Sequence, residues 1–209
     1  MEGYNEIKDF ELDIIREVSS IGTGYAATSL AGLLGCRVRM TIPDINILGY
    51  DETIDKLGDP EEVVAAVLTK MSGHMDGIFL FLLRLDFINS ILGNIMQKTV
   101  NDYGEMSEME ISAVTEIGNI IISSYVNAVS SIASMEIELS VPSVSINMLG
   151  GILTAPMVQF GYESDKLMLI EGKLIVDDQK LDSTLLMMPD IRSLNELMKR
   201  LGKVYDQGN

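Results

Sequence analysis

Glu116 and Asn119 stand three residues apart and pair an anionic hydrogen-bond acceptor with an amide, which both donates and accepts and needs no particular protonation state. Ser112 precedes them and Pro142 follows, and the whole set occurs twice. Asp13, Glu17, Ser20 and Pro43 recur, each 99 residues later, as Ser112, Glu116, Asn119 and Pro142, with 22 residues between the last polar residue and the proline in both copies. A duplication is the simplest explanation. On a helix, positions i, i+4 and i+7 lie along one stripe, continued here by Ser123 and Asn127 in the second copy and by Gly24 and Thr28 in the first. A single such stripe reads equally well as the solvated face of an amphipathic helix. The repeat argues for more, because packing alone accounts for recurring apolar positions but not for an acid at one fixed offset with a proline 26 residues beyond it. Spacing by itself names no reaction.

The elements that must position these residues follow from periodicity. Leu12, Ile15, Val18 and Ile21 predict a helix over about 11–34, stopped by Gly35. CRVRMTIP then alternates in period two as a half-buried strand closed by Pro43. Ser107 with Glu110 forms a capping-box start for a second helix running to about Ser134, and MEIELSVP alternates up to Pro142. Between them, an apolar strand leading into an Asp-capped helix also occurs twice, over 77–96 and 183–201, with Asp86 and Asp190 as expected N-caps. Further strands are expected over 62–71 and 166–177, and a helix over 151–163. Small residues crowd the first helix (Ser19, Ser20, Gly22, Gly24, Ala26, Ala27), where glycine costs roughly 1 kcal/mol against alanine unless close packing compensates. The expected fold is α+β: one pseudo-two-fold duplicated domain over 1–209, built of repeats at about 8–98 and 107–202, with two long helices packed together over a mainly antiparallel sheet.

Composition excludes several classes. With 209 residues the chain can bury roughly 70% of its unfolded surface, and its 47% hydrophobic content comes from Ile, Leu, Val and 14 Met, with no Trp. A net charge of −16 opposes binding to a phosphate backbone, so nucleic acid is not an expected partner. No apolar run approaches the about 20 residues that span a bilayer, and MEGYNEIKDFELD lacks the features of a secretory signal, so a cytoplasmic protein without membrane insertion is expected. The single Cys36 fits a reducing compartment and reads as a packed residue. His74, the one histidine, leaves no material for a His-based triad or a multi-His metal site, and reads as a turn residue. Gly22-Thr-Gly24 lies inside a helical pattern and lacks the context of a phosphate loop. Leu185 to Met188 reads as core, and the acidic run 51–62 as a solvated connection without calcium-loop spacing.

The set Ser112, Glu116, Asn119 and Pro142 resembles the Ser/Asp-x3-Glu-x2-Asn-x22-Pro motif of the CheC, CheX and FliY chemotaxis phosphatases. The two-copy arrangement resembles the CheC type in particular. That resemblance implies hydrolysis of the aspartyl phosphate of the response regulator CheY, which brings the Asp, a Lys and the Mg2+, so that this chain binds no cofactor of its own. It implies that Asn119 orients a water in line with the phosphorus while Glu116 pairs with the regulator's Lys. Catalysis of this kind rests on positioning and electrostatics. Ser112, Pro142, Asp13 and Pro43 are supporting motif positions. Ser20 departs from the family pattern where an Asn is expected, which marks Glu17 and Ser20 as a second, weak site. The alternative is a non-catalytic or weakly catalytic adaptor that binds phosphorylated CheY, the CheD deamidase, or both. Membership of the flagellar switch is a lesser expectation, since FliY-type proteins carry additional segments not found here.

Overall fold

A computed structural model describes residues 9–159 and 166–206. Helix α1 (Asp9–Leu34) buries Ile14, Ile15, Val18, Ala26 and Leu30 along one side. Gly35 ends it at φ 64°, a left-handed conformation open to glycine, and its amide donates to Ala31 O. Helix α4 (Glu108–Ala133) repeats the design: Val114, Ile117, Ile121 and Ile122 are buried, and Ser134 closes it at φ 49°. The two helices lie against each other, and the small residues of α1 explain how. A Cβ on Gly22 would stand 2.9 Å from the Tyr125 Cα, so glycine permits the close approach. Beside it the Thr23 hydroxyl and the Tyr125 hydroxyl share a buried hydrogen bond of 2.8 Å.

After α1 come β1 (Val38–Met40), β2 (Asp44–Gly49), α2 (Tyr50–Leu57), β3 (Val63–Gly73), β4 (Gly77–Leu83) and α3 (Leu85–Met96). After α4 the same order returns as β5 (Ile137–Leu139), β6 (Ser143–Met148), α5 (Leu149–Gln159), β7 (Lys166–Val176), β8 (Gln179–Pro189) and α6 (Ile191–Asp206). The strands run β1-β7-β8-β4-β3-β5, with β2 also on β7 and β6 also on β3, and every pair is antiparallel. Each half thus lends its short strands to the long strand of the other, with Val38 opposite Val176 and Ile137 opposite Gly73. At the centre β4 and β8 pair directly.

The larger core fills the space between the sheet and α1, α3, α4 and α6. A smaller core on the opposite face gathers Leu57, Val64, Ile78, Leu80, Leu149 and Leu186 under α2 and α5. Covered on both faces, β4 (GIFLFLL) is buried at every position, which is why it reads as a continuous apolar run rather than an alternating one.

Four sequence expectations are corrected. The strands expected to run up to Pro43 and Pro142 stop at Met40 and Leu139, and pairing resumes at Asp44 and Ser143. Proline has no N–H for the ladder. The last bonds before the break are matched in the two halves, Thr41 N to Lys173 O (3.0 Å) and Ser140 N to Lys70 O (2.9 Å). Residues 51–57 of the acidic run belong to helix α2, anchored by buried Thr53 and Leu57 and by the Glu52 carboxylate, which accepts the Gly49 amide at 2.8 Å. Asp86 is not an N-cap, because α3 starts at Leu85 and Asp86 accepts from the Phe87 amide inside the first turn. Arg84 holds the cap position, its guanidinium on Glu62 and on Leu57 O. Finally, the helix expected over 151–163 begins earlier, at Leu149, and its last four expected residues lie outside the described range. Asp190, by contrast, accepts the Ser193 amide at 2.6 Å directly before α6, as a cap should.

Candidate functional site

At 100° per residue, Ser112, Glu116, Asn119 and Ser123 fall within roughly 60° of one another about the α4 axis. The structure places Ser112 and Glu116 in solvent and leaves Asn119 and Ser123 half-buried. Their helix is seated from behind. Gly118 faces β3, where an added Cβ would lie 2.5 Å from a Val67 methyl, and Ile117 and Ile121 are fully buried. The Ser123 hydroxyl turns back to the Asn119 carbonyl, a local bond that leaves the Asn119 amide group itself uninvolved. Neither the Glu116 carboxylate nor the Asn119 carboxamide has a hydrogen-bond or ion-pair partner among the described residues. The stripe therefore presents an acceptor and a donor–acceptor group, one helical turn apart, on a rigid base.

The start of α4 is fixed separately. The Ser107 amide donates to the Glu110 carboxylate at 2.6 Å, completing the capping arrangement the sequence suggests. Glu110 is only 2% exposed and also pairs with Lys98, a partner that sequence spacing does not reveal. Lys98 above all, then the Ser107 amide, holds the Glu110 carboxyl at a pKa of about 2. Beside Glu116, the end of α3 and the first turns of α4 border a shallow, open depression lined by Met96, Met109, Ser112, Ala113 and Glu116 among others. Met96 comes from a different helix, so this depression too is invisible in the motif.

The first copy shows the same exposure pattern: Asp13 and Glu17 are in solvent and Ser20 is half-buried. Its electrostatics differ. Arg16 forms an ion pair with Asp13, whereas Thr115, at the matching place in α4, gives its hydroxyl to the Ile111 carbonyl (2.6 Å). The two prolines sit in the breaks between short strands, Pro43 buried and Pro142 half-buried, and each follows an exposed apolar residue, Ile42 (72%) and Val141 (89%). Among the described residues, no group of three or more His, Cys, Asp or Glu side chains is placed to hold a metal ion. No described helix is long and apolar enough to cross a membrane. His74 occupies the turn between β3 and β4, where its Nδ1 accepts the Glu136 amide at 2.9 Å.

Comparison with known proteins gives this architecture its class. The crystal structure of Thermotoga maritima FliY shares the fold, with a TM-score of 0.70 at 19% identity, covering 98% of this chain and 100% of that one. In sequence, the CheC-like family model matches residues 109–146, a span that contains Ser112, Glu116, Asn119 and Pro142. The chain is 30% identical over 208 residues to the CheY-P phosphatase CheC of Bacillus subtilis (strain 168), covering 97% of this chain and 99% of that protein. It is 26% identical over 147 residues to the flagellar motor switch phosphatase FliY of the same organism, covering 68% of this chain but 37% of that protein. The chain belongs to the CheC-like family.

Proposed function

We propose that this chain is a CheY-P phosphatase, a hydrolase that returns the aspartyl phosphate of the response regulator CheY to a free carboxylate and inorganic phosphate. The main site in this reading is the second-repeat pair. The phosphorus–oxygen bond to the regulator's Asp breaks as a water oxygen attacks from the opposite side, and the water's protons pass to the released phosphate and solvent. Asn119 holds that water in line, accepting one of its protons in a hydrogen bond while donating to the phosphoryl group. A carboxylate there would repel the phosphoryl oxygens. Glu116 pairs with the regulator's Lys and sets the register. The Mg2+ that neutralises developing charge belongs to the regulator, and the encounter takes place in the cytoplasm.

The observation that carries this reading is the pair of side chains, exposed Glu116 and half-buried Asn119, without a partner among the described residues, on one turn of a helix whose opposite side is locked against β3. Support also comes from the likeness over nearly the full length to a protein named for that activity. In a phosphate-release assay with phosphorylated CheY, the wild-type chain is expected to exceed the regulator's own rate. Asn119→Ala is expected to fall to that rate, a loss of at least about 100-fold, with unchanged melting temperature. Retained acceleration in that variant rules out the assignment.

One observation favours a second reading for part of the molecule. Ser20 lacks the amide at the matching position of α1. In this reading the first copy, through Glu17, docks a regulator with little hydrolysis, and the chain acts also as an adaptor toward phosphorylated CheY and the CheD deamidase. Binding without acceleration in the assay above would favour it. The organisation we propose for both readings is one domain of two repeats.

A further inference from the structure

The docking stripe of α4 begins one step earlier than the acid–amide motif. Met109 lies seven residues before Glu116, two helical turns away, and so falls within about 20° of Glu116 around the helix axis. It is 70% exposed, although it is a large apolar residue at the edge of a well-packed domain. Together with half-buried Met96 and Ala113 it lines the shallow depression that Ser112 and Glu116 also border. The first repeat has the same arrangement: Phe10 stands seven residues before Glu17 and is 57% exposed. Solvent exposure gives no reason to place a large apolar side chain at this offset twice. A surface that is covered part of the time does.

We infer that Met109, with Met96, forms an apolar socket that receives an apolar side chain of phosphorylated CheY from the border of its acyl-phosphate pocket, and that this contact sets affinity for the regulator rather than the rate of hydrolysis. The inference rests on the function proposed above. Its geometry is simple. Two turns of helix place Met109 about 10 Å from Glu116 along the axis. A standard interface of about 800 Å2 per partner is a disc of about 16 Å radius. A regulator centred midway between Glu116 and Asn119, about 13 Å from Met109 along the axis, therefore still covers it inside its footprint of about 16 Å radius, where an apolar contact desolvated on docking adds affinity. Methionine suits the role because its flexible thioether adapts to a partner's contour. Because Met109 is too far along the helix to reach the phosphorus, its contact is made equally in the ground state and the transition state, and such uniform binding appears in KM and not in kcat.

The test uses the full chain with beryllofluoride-activated, Mg2+-loaded CheY for binding and with phosphorylated CheY for turnover. Met109→Gln keeps the length and removes the apolar character, and Met109→Leu restores it. Met109→Gln is expected to weaken Kd and raise KM by about tenfold, with kcat within about twofold of wild type. Met109→Leu is expected to stay within about threefold of wild type in all three. The exposed position should leave the melting temperature of both unchanged, and Met96→Gln is a second probe of the same socket. If the wild type accelerates phosphate release but Met109→Gln and Met96→Gln bind as tightly as it does, the socket is wrong while the phosphatase reading stands. A fall in kcat at unchanged KM likewise overturns the docking role. A wild-type chain that neither binds nor accelerates overturns both.

Discussion

Replacing Gly118 by alanine should unseat the proposed active helix from the sheet, and the size of the effect can be worked out. An alanine Cβ at this position would lie 2.5, 2.6 and 2.9 Å from the Cγ2, Cβ and Cγ1 atoms of Val67. All three are closer than van der Waals contact allows, and one of them is Val67 Cβ, fixed to the backbone of β3. No rotamer change removes the clash, so α4 or β3 must move. Overpacking of this kind costs about 3 kcal/mol, at the upper end of the usual range, while the alanine recovers about 1 kcal/mol of helix propensity. The net loss is about 2 kcal/mol, or about 4–8 °C in melting temperature for a domain of this size. Asn119 is the next residue, and under the proposed mechanism lifting the helix by even a fraction of an ångström would displace its amide from the line of attack. A kcat reduction of at least tenfold is therefore expected with little change in KM. Val67→Ala removes two of the three clashing atoms, so the double variant should regain part of both losses, with a coupling of about 1 kcal/mol or more. Urea denaturation and phosphate-release kinetics on the four proteins of this cycle decide the matter. A Gly118→Ala chain as stable and as active as wild type would refute the claim that β3 fixes the position of Asn119.

Two further outcomes follow from the site and its anchor. In an Asn119→Ala background, Ser20→Asn should restore phosphate release above the regulator's own rate, because the first stripe has the same exposure pattern and already carries the acid, Glu17; a chain that stays at the basal rate would show that the Arg16–Asp13 pair or the other first-copy surroundings bar hydrolysis. Glu110 has a folded pKa of about 2 against an ordinary 4.5, so the stability it contributes is present above about pH 4.5 and is lost as pH falls toward 2. Melting temperatures measured across that window should decline less steeply for Glu110→Gln than for wild type, and parallel curves would contradict the Lys98 pairing.

The elements most visible in the sequence are those whose patterns are long or capped. The two 26-residue helices follow from apolar periodicity closed by Gly35 at one end and opened by Ser107 and Glu110 at the other. Strands β3, β4, β7 and β8 follow from apolar runs that no solvent-facing element would carry. Helix α2 was hidden because its eight residues have only two buried side chains and four acidic or basic ones near its ends, which is also the composition of a loop. The exchange of strands is invisible for a different reason. The strands β1 and β2 present the same alternation to β3 as to β7, so periodicity cannot choose between pairing within a repeat and pairing across it. At the site, the repeat exposes the acid–amide stripe, since its members are fixed offsets on one helix. Met96 and Lys98 escape notice because they reach α4 from α3 and the connection after it, Met96 beside Glu116 and Lys98 at Glu110, through space and not through spacing.

The exchange also explains how α1 can lack the amide that α4 carries and still be held in place as a helix. Strands β1 and β2 are the covering partners of β7, and β5 and β6 those of β3, the strand against which Gly118 rests. Helix α1 in turn supplies Gly22 and Thr23 to the Tyr125 side of α4. Removing the first repeat would therefore leave β7 uncovered and strip α4 of its neighbour, so its buried side is bound to the second site's geometry whatever its own chemistry does. The outer stripe of exposed Asp13 and Glu17 and half-buried Ser20 carries less of that obligation, its one ion pair, Asp13 with Arg16, lying at the surface. A scaffold of two halves with matching element order separates the two demands: substitutions on the outer stripe alter what one half presents to a partner, whereas substitutions at the α1–α4 seam alter both halves together. Ser20 is a change of the first kind, and it leaves the support beneath Glu116 and Asn119 untouched.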